Sequence, residues 1–300
     1  MTKLTSLPDA VARHVHDGDT IYAAGFTHLI PFAAGHEIIR QGRHDLTLAR
    51  ATPDLVYDQM VAAGCARKVI FSYMGNPGVG SLRIVRSEIE AGRLEWEEYS
   101  HFGMISRLQA GAAGLPFMPM NPTGATDLER ANPQVQRVTD PYSGGEVIVV
   151  PALQPDVAIV HVQRADREGN AHLWGIVGEQ KEVAFAAKRV ILTAEEIVDE
   201  AVIRSDPNRT LIPGFIVSAV CHVPYASHPS YAQGYYDRDN DFYLKWDKIS
   251  ESTEAVRAYL DEWVFGVRDR GQYWDKLGEE THRRLAVAPR PSAMVNYGNY

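Results

Sequence analysis

The sequence predicts an α/β fold, an open and mainly parallel sheet with crossover helices and a C-terminal helical extension. Short apolar, β-branched runs alternate with amphipathic segments over most of the 300 residues. Glycine-rich stretches follow several of those runs, where parallel strands hand the chain to a crossover. Two further helical patterns close the chain. A composition of 45% hydrophobic and 23% charged residues supplies a sizeable core.

The expected strands are TIYAAG (20–25), DLTLARA (45–51), KVIFSY (68–73), EVIVVP (146–151), VAIVHV (157–162) and RVILTA (189–194). Between them PDLVYDQMVAAGC and GSLRIVRSEIEAG carry apolar residues three or four apart, as a helix packed by one face requires. A further short strand over 94–97 would turn Glu95 and Glu97 to one face and leave Glu98 at the turn. From Pro207 to Ile249 the density of Pro, Tyr, Asp and Asn predicts loop. STEAVRAYLDEWVFG and QYWDKLGEETHRRLA then read as helices. The expected division is 1–250 for the α/β domain and 251–300 for a helical extension packed on it.

Composition narrows the function. A net charge of −8 without a long basic run argues against a nucleic-acid surface. Cys65 and Cys221 lack CxxC spacing, which speaks against a disulfide framework or zinc ribbon and for a reducing compartment. No apolar run reaches the ~18 residues of a membrane span, and the N-terminus lacks a signal peptide's apolar centre, so a cytoplasmic chain is expected.

Candidate chemistry lies after the strands. In AAGFTHLIPF, Gly25 sits where the backbone turns and Pro31 opens the next helix; the loop's N–H groups could face an anion or carbonyl, or the loop could be a simple turn. In FSYMGNPGVG the spacing is GxxGxG rather than GxGxxG, which argues against a nicotinamide fingerprint and leaves a phosphate-friendly turn with Ser72 and Asn76 as donors. Glu95, Glu97 and Glu98 precede Tyr99, Ser100 and His101; the glutamates read as solvated, and His101 as a donor aimed at a carbonyl or a structural residue. No GxSxG elbow supports a serine triad. Asp166, Gly169 and Asn170 suit an Asx turn. His222 and His228 lack a second ligand pair, so no metal is expected.

Together, GDTIYAAGF, SYMGNPG, GRLEWEEYSHFGMISRLQAGAAGLPFMP, PALQPDVAIVHVQRADREGNAHLWG and HPSYAQGYYDRDNDFY resemble the alpha subunit of family I coenzyme A transferases, in particular the glutaconate CoA-transferase A-subunit group. The resemblance covers residues 15 to about 245. It implies that fold, no bound cofactor, and a coenzyme A thioester and carboxylic acids as substrates. It also implies a beta subunit whose glutamate, in a Glu-x-Gly turn, attacks the thioester. The paired glutamates of TAEEIVD lack that glycine, so this chain would be the non-nucleophilic half. Where related 3-oxoacid CoA-transferases carry Pro-Gln-Gly, this chain has Ser100, His101 and Phe102. His101 would stand in for a glutamine that polarises the thioester carbonyl, with the added ability to exchange a proton. Gly25 and Phe26 would shape the acyl pocket, and Ser72, Gly75 and Asn76 would line the substrate side. Two alternatives stay open: an acyl-CoA ring-opening hydrolase on the same scaffold, as in steroid-ring catabolism, and a non-catalytic acyl-CoA-binding subunit.

Overall fold

A computed structural model of the chain describes residues 2–75, 80–120 and 127–287. Ser6 caps the first helix, α1 (Leu7–His14), by accepting from the Asp9 N–H. Strands and helices then alternate: β1 (Thr20–Ala23), α2 (Phe32–Arg40), β2 (Leu46–Ala49), α3 (Leu55–Ala62), β3 (Ala66–Phe71), α4 (Arg83–Glu90), β4 (Glu95–Glu98) and α5 (His101–Ala112). Next come β5 (Phe117–Met120), the single turn α6 (Leu128–Ala131), β6 (Gln136–Thr139) and β7 (Glu146–Pro151). The second half of the main sheet follows with β8 (Val157–Ala165), β9 (Ala171–His172), α7 (Gln180–Ala186), β10 (Arg189–Ile197), α8 (Glu200–Ser205), β11 (Thr210–Ile212) and β12 (Ala219–His222). Helices α9 (Asn240–Ile249), α10 (Thr253–Leu260) and α11 (Arg270–Leu285) complete the described chain, α11 being two helical pieces joined at Gly278.

The main sheet runs β4-β3-β2-β1-β8-β10-β12, every neighbouring pair parallel. Four strands are laid down outward from β1, and the later ones on its other side, so the order reverses between β1 and β8. In an open α/β sheet such a switch leaves a crevice at the strands' carboxyl ends. The long strand β8 pairs with β1 over Val157–Ile159 and, beyond the end of β1, with antiparallel β9, which in turn holds β11. Neighbouring residues of each strand feed opposite cores. Ile21, Leu48 and Val69 pack with α2, α3 and Trp246, while Tyr22, Ala49 and Ile70 pack with the α5 and α7 side.

Three expectations are corrected. Residues 146–151 form a strand but not a parallel one: β7 is the centre of a separate antiparallel sheet, β5-β7-β6. The link 140–145 is too short for a crossover, and Asp140 closes it as a turn through Ser143 and the Tyr142 N–H. The segment 207–249 is not all loop. It holds β11, β12 and α9, because the apolar residues Leu211, Ile212 and 219–221 reach the core between the prolines. Strand β4 is shifted by one residue, so that Glu98 belongs to it and is half-buried.

Candidate active site

The loops after β1, β2, β3 and β4 meet at one end of the sheet. After β1 the chain turns at Gly25, whose φ of +123° suits only glycine, and a Cβ there would lie 2.6 Å from the His28 carbonyl oxygen. Thr27 and Leu29 follow with φ of 55° and 54°, rarely adopted by such residues. The surroundings impose this shape. The Leu29 N–H donates to the Tyr231 carbonyl at 2.9 Å and the Ser230 hydroxyl to the Thr27 carbonyl at 2.8 Å. His28 accepts at Nε2 from the Gln233 N–H (3.0 Å), which leaves Nδ1 to donate to the Ile176 carbonyl (3.1 Å). Burial holds this imidazole neutral, its pKa lowered to about 4.

Behind the turn, fully buried Arg50 donates from Nη2 to the Gly25 carbonyl. Tyr22 accepts from the Ala51 N–H at 3.1 Å. Buried Glu179, which arrives with the loop before α7, has its carboxyl pKa raised by burial, against the pull of the Arg50 charge and a hydrogen bond with Tyr22. Gly178 is packed against Phe26, where a Cβ would come within 2.7 Å of the phenylalanine Cβ.

His101 opens α5. Ser100 caps that helix by accepting from the Gly103 N–H at 2.9 Å. The imidazole stands at the helix N-terminus, its Nε2 sharing a 2.8 Å hydrogen bond with the Thr52 hydroxyl, and its ring edge-on to Phe26 with centroids 6.4 Å apart. Partial burial lowers the His101 pKa, so the neutral ring predominates at pH 7. Phe26 keeps 37% of its surface exposed. His101 and Phe26 therefore come together with Gly25 behind them, joined by Thr52, a residue unremarked in the sequence although it follows an expected strand.

The Ser72 hydroxyl donates at 2.6 Å to the carbonyl of Ala51, the chain neighbour of Thr52, and Ser72 borders a cavity of about 350 Å³ with Tyr73, Met74, Arg86, Trp96 and Glu98. Gly75 lies against the Tyr73 ring. Asn76 and Gly78 fall outside the described residues. Of the β4 glutamates, Glu95 is exposed. Glu97 is not merely solvated: burial would raise its pKa, but hydrogen bonds from Lys68 and Tyr99 and the charge of Arg107 outweigh this and hold it below the ordinary value. A carboxylate so engaged is a poor nucleophile. Among the described residues none forms a carboxylate contact with His101.

The remaining candidates are structural. Asp166 accepts from the Glu168 and Asn170 N–H groups in an Asx turn. His222 bonds the Glu195 carbonyl, and buried His228 lies between Asp239 and the Tyr273 hydroxyl. Arg50 carries no sequence signal beyond its place in an expected strand, and nothing in the local pattern ties Gly178 and Glu179 to a turn some 150 positions earlier. No helix among the described residues is long and apolar enough to cross a membrane.

Comparison with known proteins agrees with this architecture. The chain is 50% identical over 282 residues to the A subunit of 3-oxoadipate CoA-transferase from Pseudomonas knackmussii, covering 93% of this chain and 99% of the relative. It is 38% identical over 307 residues to the A subunit of glutaconate CoA-transferase from Acidaminococcus fermentans, covering 96% of each. The crystal structure of glutaconate coenzyme A-transferase from that organism superposes with a TM-score of 0.90 at 37% identity, over 96% of both chains. Residues 4–222 match the family described as Coenzyme A transferase, and on these grounds the chain belongs to the coenzyme A transferase family.

Proposed function

We propose that this chain is the alpha component of a heteromeric CoA-transferase that moves coenzyme A between dicarboxylic acids of the 3-oxoadipate type, and that its beta subunit supplies the nucleophilic glutamate. The acyl class rests on the 50% identity to the corresponding component of a 3-oxoadipate CoA-transferase along nearly the whole chain. The division of labour is supported by the likeness to two A subunits and by one structural observation: among the described residues His101 bonds a hydroxyl and no carboxylate, and Glu97 of the neighbouring strand is engaged by Lys68 and Arg107.

In this reading the partner's carboxylate attacks the thioester carbonyl, and the tetrahedral adduct expels coenzyme A as thiolate, leaving an acyl-glutamyl anhydride. The thiolate returns to the glutamyl carbonyl, releasing the first acid; a second acid then takes coenzyme A by the reverse steps. Each attack places negative charge on a carbonyl oxygen, which preorganised donors stabilise. His101 at the α5 N-terminus and the Phe26 N–H are the donors we assign, with Gly25 shaping the turn that presents the latter. A neutral imidazole there donates without adding a charge to the resting site. Ser72 and Gly75 would border the remote end of the substrate. The substrate thioester carries the chemistry, so no bound cofactor enters the scheme, and the enzyme would work in the cytoplasm.

The test is the complex with its beta subunit, given an acyl-CoA and isotopically labelled 3-oxoadipate. Label in the acyl-CoA pool supports transfer. Consumption of thioester at the same rate without acceptor would instead support the hydrolytic reading.

A further inference from the structure

Arg50 is 1% exposed, and its single hydrogen bond among the described residues is the one from Nη2 to the Gly25 carbonyl, while Nε and Nη1 are unpartnered. Burying a guanidinium is costly unless its donors are satisfied. This side chain is thus committed to one peptide carbonyl, and that carbonyl belongs to the turn beside His101.

The geometry of a trans peptide gives the consequence. The C=O of Gly25 and the N–H of Phe26 belong to one planar unit and point in opposite directions. With the carbonyl drawn inward to Arg50, the Phe26 N–H is directed away from the buried side, and it donates to no described residue. Gly178 packs closely against this unit without a side chain, since a Cβ there would stand 3.5 Å from the Phe26 nitrogen and 2.7 Å from its Cβ. Glu179 brings a buried carboxyl within reach of the Arg50 charge, which partly opposes the rise that burial imposes on its pKa.

We infer that Arg50 is a positioning residue, which fixes the Gly25–Phe26 peptide so that its N–H meets the oxygen of the thioester carbonyl as charge develops there. This rests on the reading of the site as a CoA-transferase half-site. Because the donor matters most when the oxygen is charged, its loss affects turnover more than substrate binding.

The experiment compares wild type, R50M and R50K in complex with the beta subunit. R50M is expected to lower kcat at least about tenfold with KM for acyl-CoA within about twofold, and R50K to recover part of the loss because an ammonium can still donate. Unchanged kcat in an intact R50M complex, or a KM effect equal to the kcat effect, overturns the inference. If R50M does not assemble, R50K alone decides by the same criterion. Hydrogen exchange across residues 24–31 in the isolated chain separates this inference from the proposed function. Faster exchange there in R50K, with the rest unchanged, supports the hold of Arg50 even if the complex transfers no coenzyme A. Unchanged exchange rejects that hold whatever the activity.

Discussion

His101 and Thr52 come from different strand ends, yet share a 2.8 Å hydrogen bond. If the imidazole acts as a donor, H101A lowers kcat by about 10²-fold or more, the usual effect of deleting one oxyanion donor, while H101Q keeps most of the rate. Its lowered pKa places protonation on the acid side of 6.5. The His101-dependent rate is then level from pH 7 to 8 and changes only in acid, and H101Q loses that inflection. Steady-state rates against pH for the three complexes check both points. Ser72, by contrast, already donates to the Ala51 carbonyl and borders the cavity beside Trp96 and Glu98. S72A is expected to raise KM by roughly threefold or less with kcat nearly unchanged, the signature of lost uniform binding.

At the scale of elements, the turn after β1 depends on a segment far along the chain. Residues 225–239 brace it through Ser230, Tyr231 and Gln233, and are themselves held from behind by α11. Arg270 donates to the Tyr225 and His228 carbonyls, Tyr273 bonds His228, and Arg284 pairs with Asp239. Trp274 stacks on Tyr225 at 3.9 Å and on His282 at 4.5 Å. W274A is expected to cost about 3 kcal/mol, as large aromatic deletions in a core do, and to reduce activity through the 25–31 turn although Trp274 lies outside the candidate site. Chemical denaturation and kcat of the same variant test the two halves of that statement. Strands β1, β2 and β3 and helices α3 and α4 were legible because each carries an apolar pattern of its own, whereas β4, with Trp96 as its one apolar residue, was placed a residue early and α1 was not foreseen. The antiparallel β5-β7-β6 sheet and strands β11 and β12 were not legible, because their direction and pairing depend on link length and on partners distant in sequence. The C-terminal brace was hidden for the same reason: aromatic stacking and buried Arg–carbonyl bonds leave no periodic trace.

For the whole molecule, three buried histidines set a common pH response. His28 and His228 have pKa values lowered to about 4 and His36 to about 3, all through burial first. Unfolded histidines protonate near 6.5, so between pH 6.5 and about 4 the unfolded chain binds more protons and stability falls on acidification. Asp58, raised by burial to about 6, acts in the opposite sense over pH 6 to 4, because its folded form holds the proton more tightly. Glu179 and Asp237, also raised by burial, act in the same sense as Asp58; the three histidines, lowered to about 4 or 3, are expected to outweigh them, so the melting temperature drops from pH 7 to pH 4.5. A flat profile would mean that these histidines are not buried neutral in solution.

The site as a whole was only partly legible. Motif order placed Gly25, Phe26 and His101, and the structure gathers them. It lines a cavity with Ser72 and adds Thr52, Arg50 and Glu179, whose contribution exists only once β1, β2 and the loop before α7 converge. The likeness to the glutaconate enzyme extends over 96% of the chain, beyond the limit of about residue 245 read from the motifs.

The mechanism depends on the attacking carboxylate belonging to another chain. Borohydride reduction of the complex during turnover, followed by peptide mapping, locates the enzyme-bound thioester by the alcohol it leaves. The expected result is that alcohol at a glutamate of the beta subunit and none on this chain; a reduced side chain at Glu97, Glu98, Glu179 or any other carboxylate of this chain would contradict it.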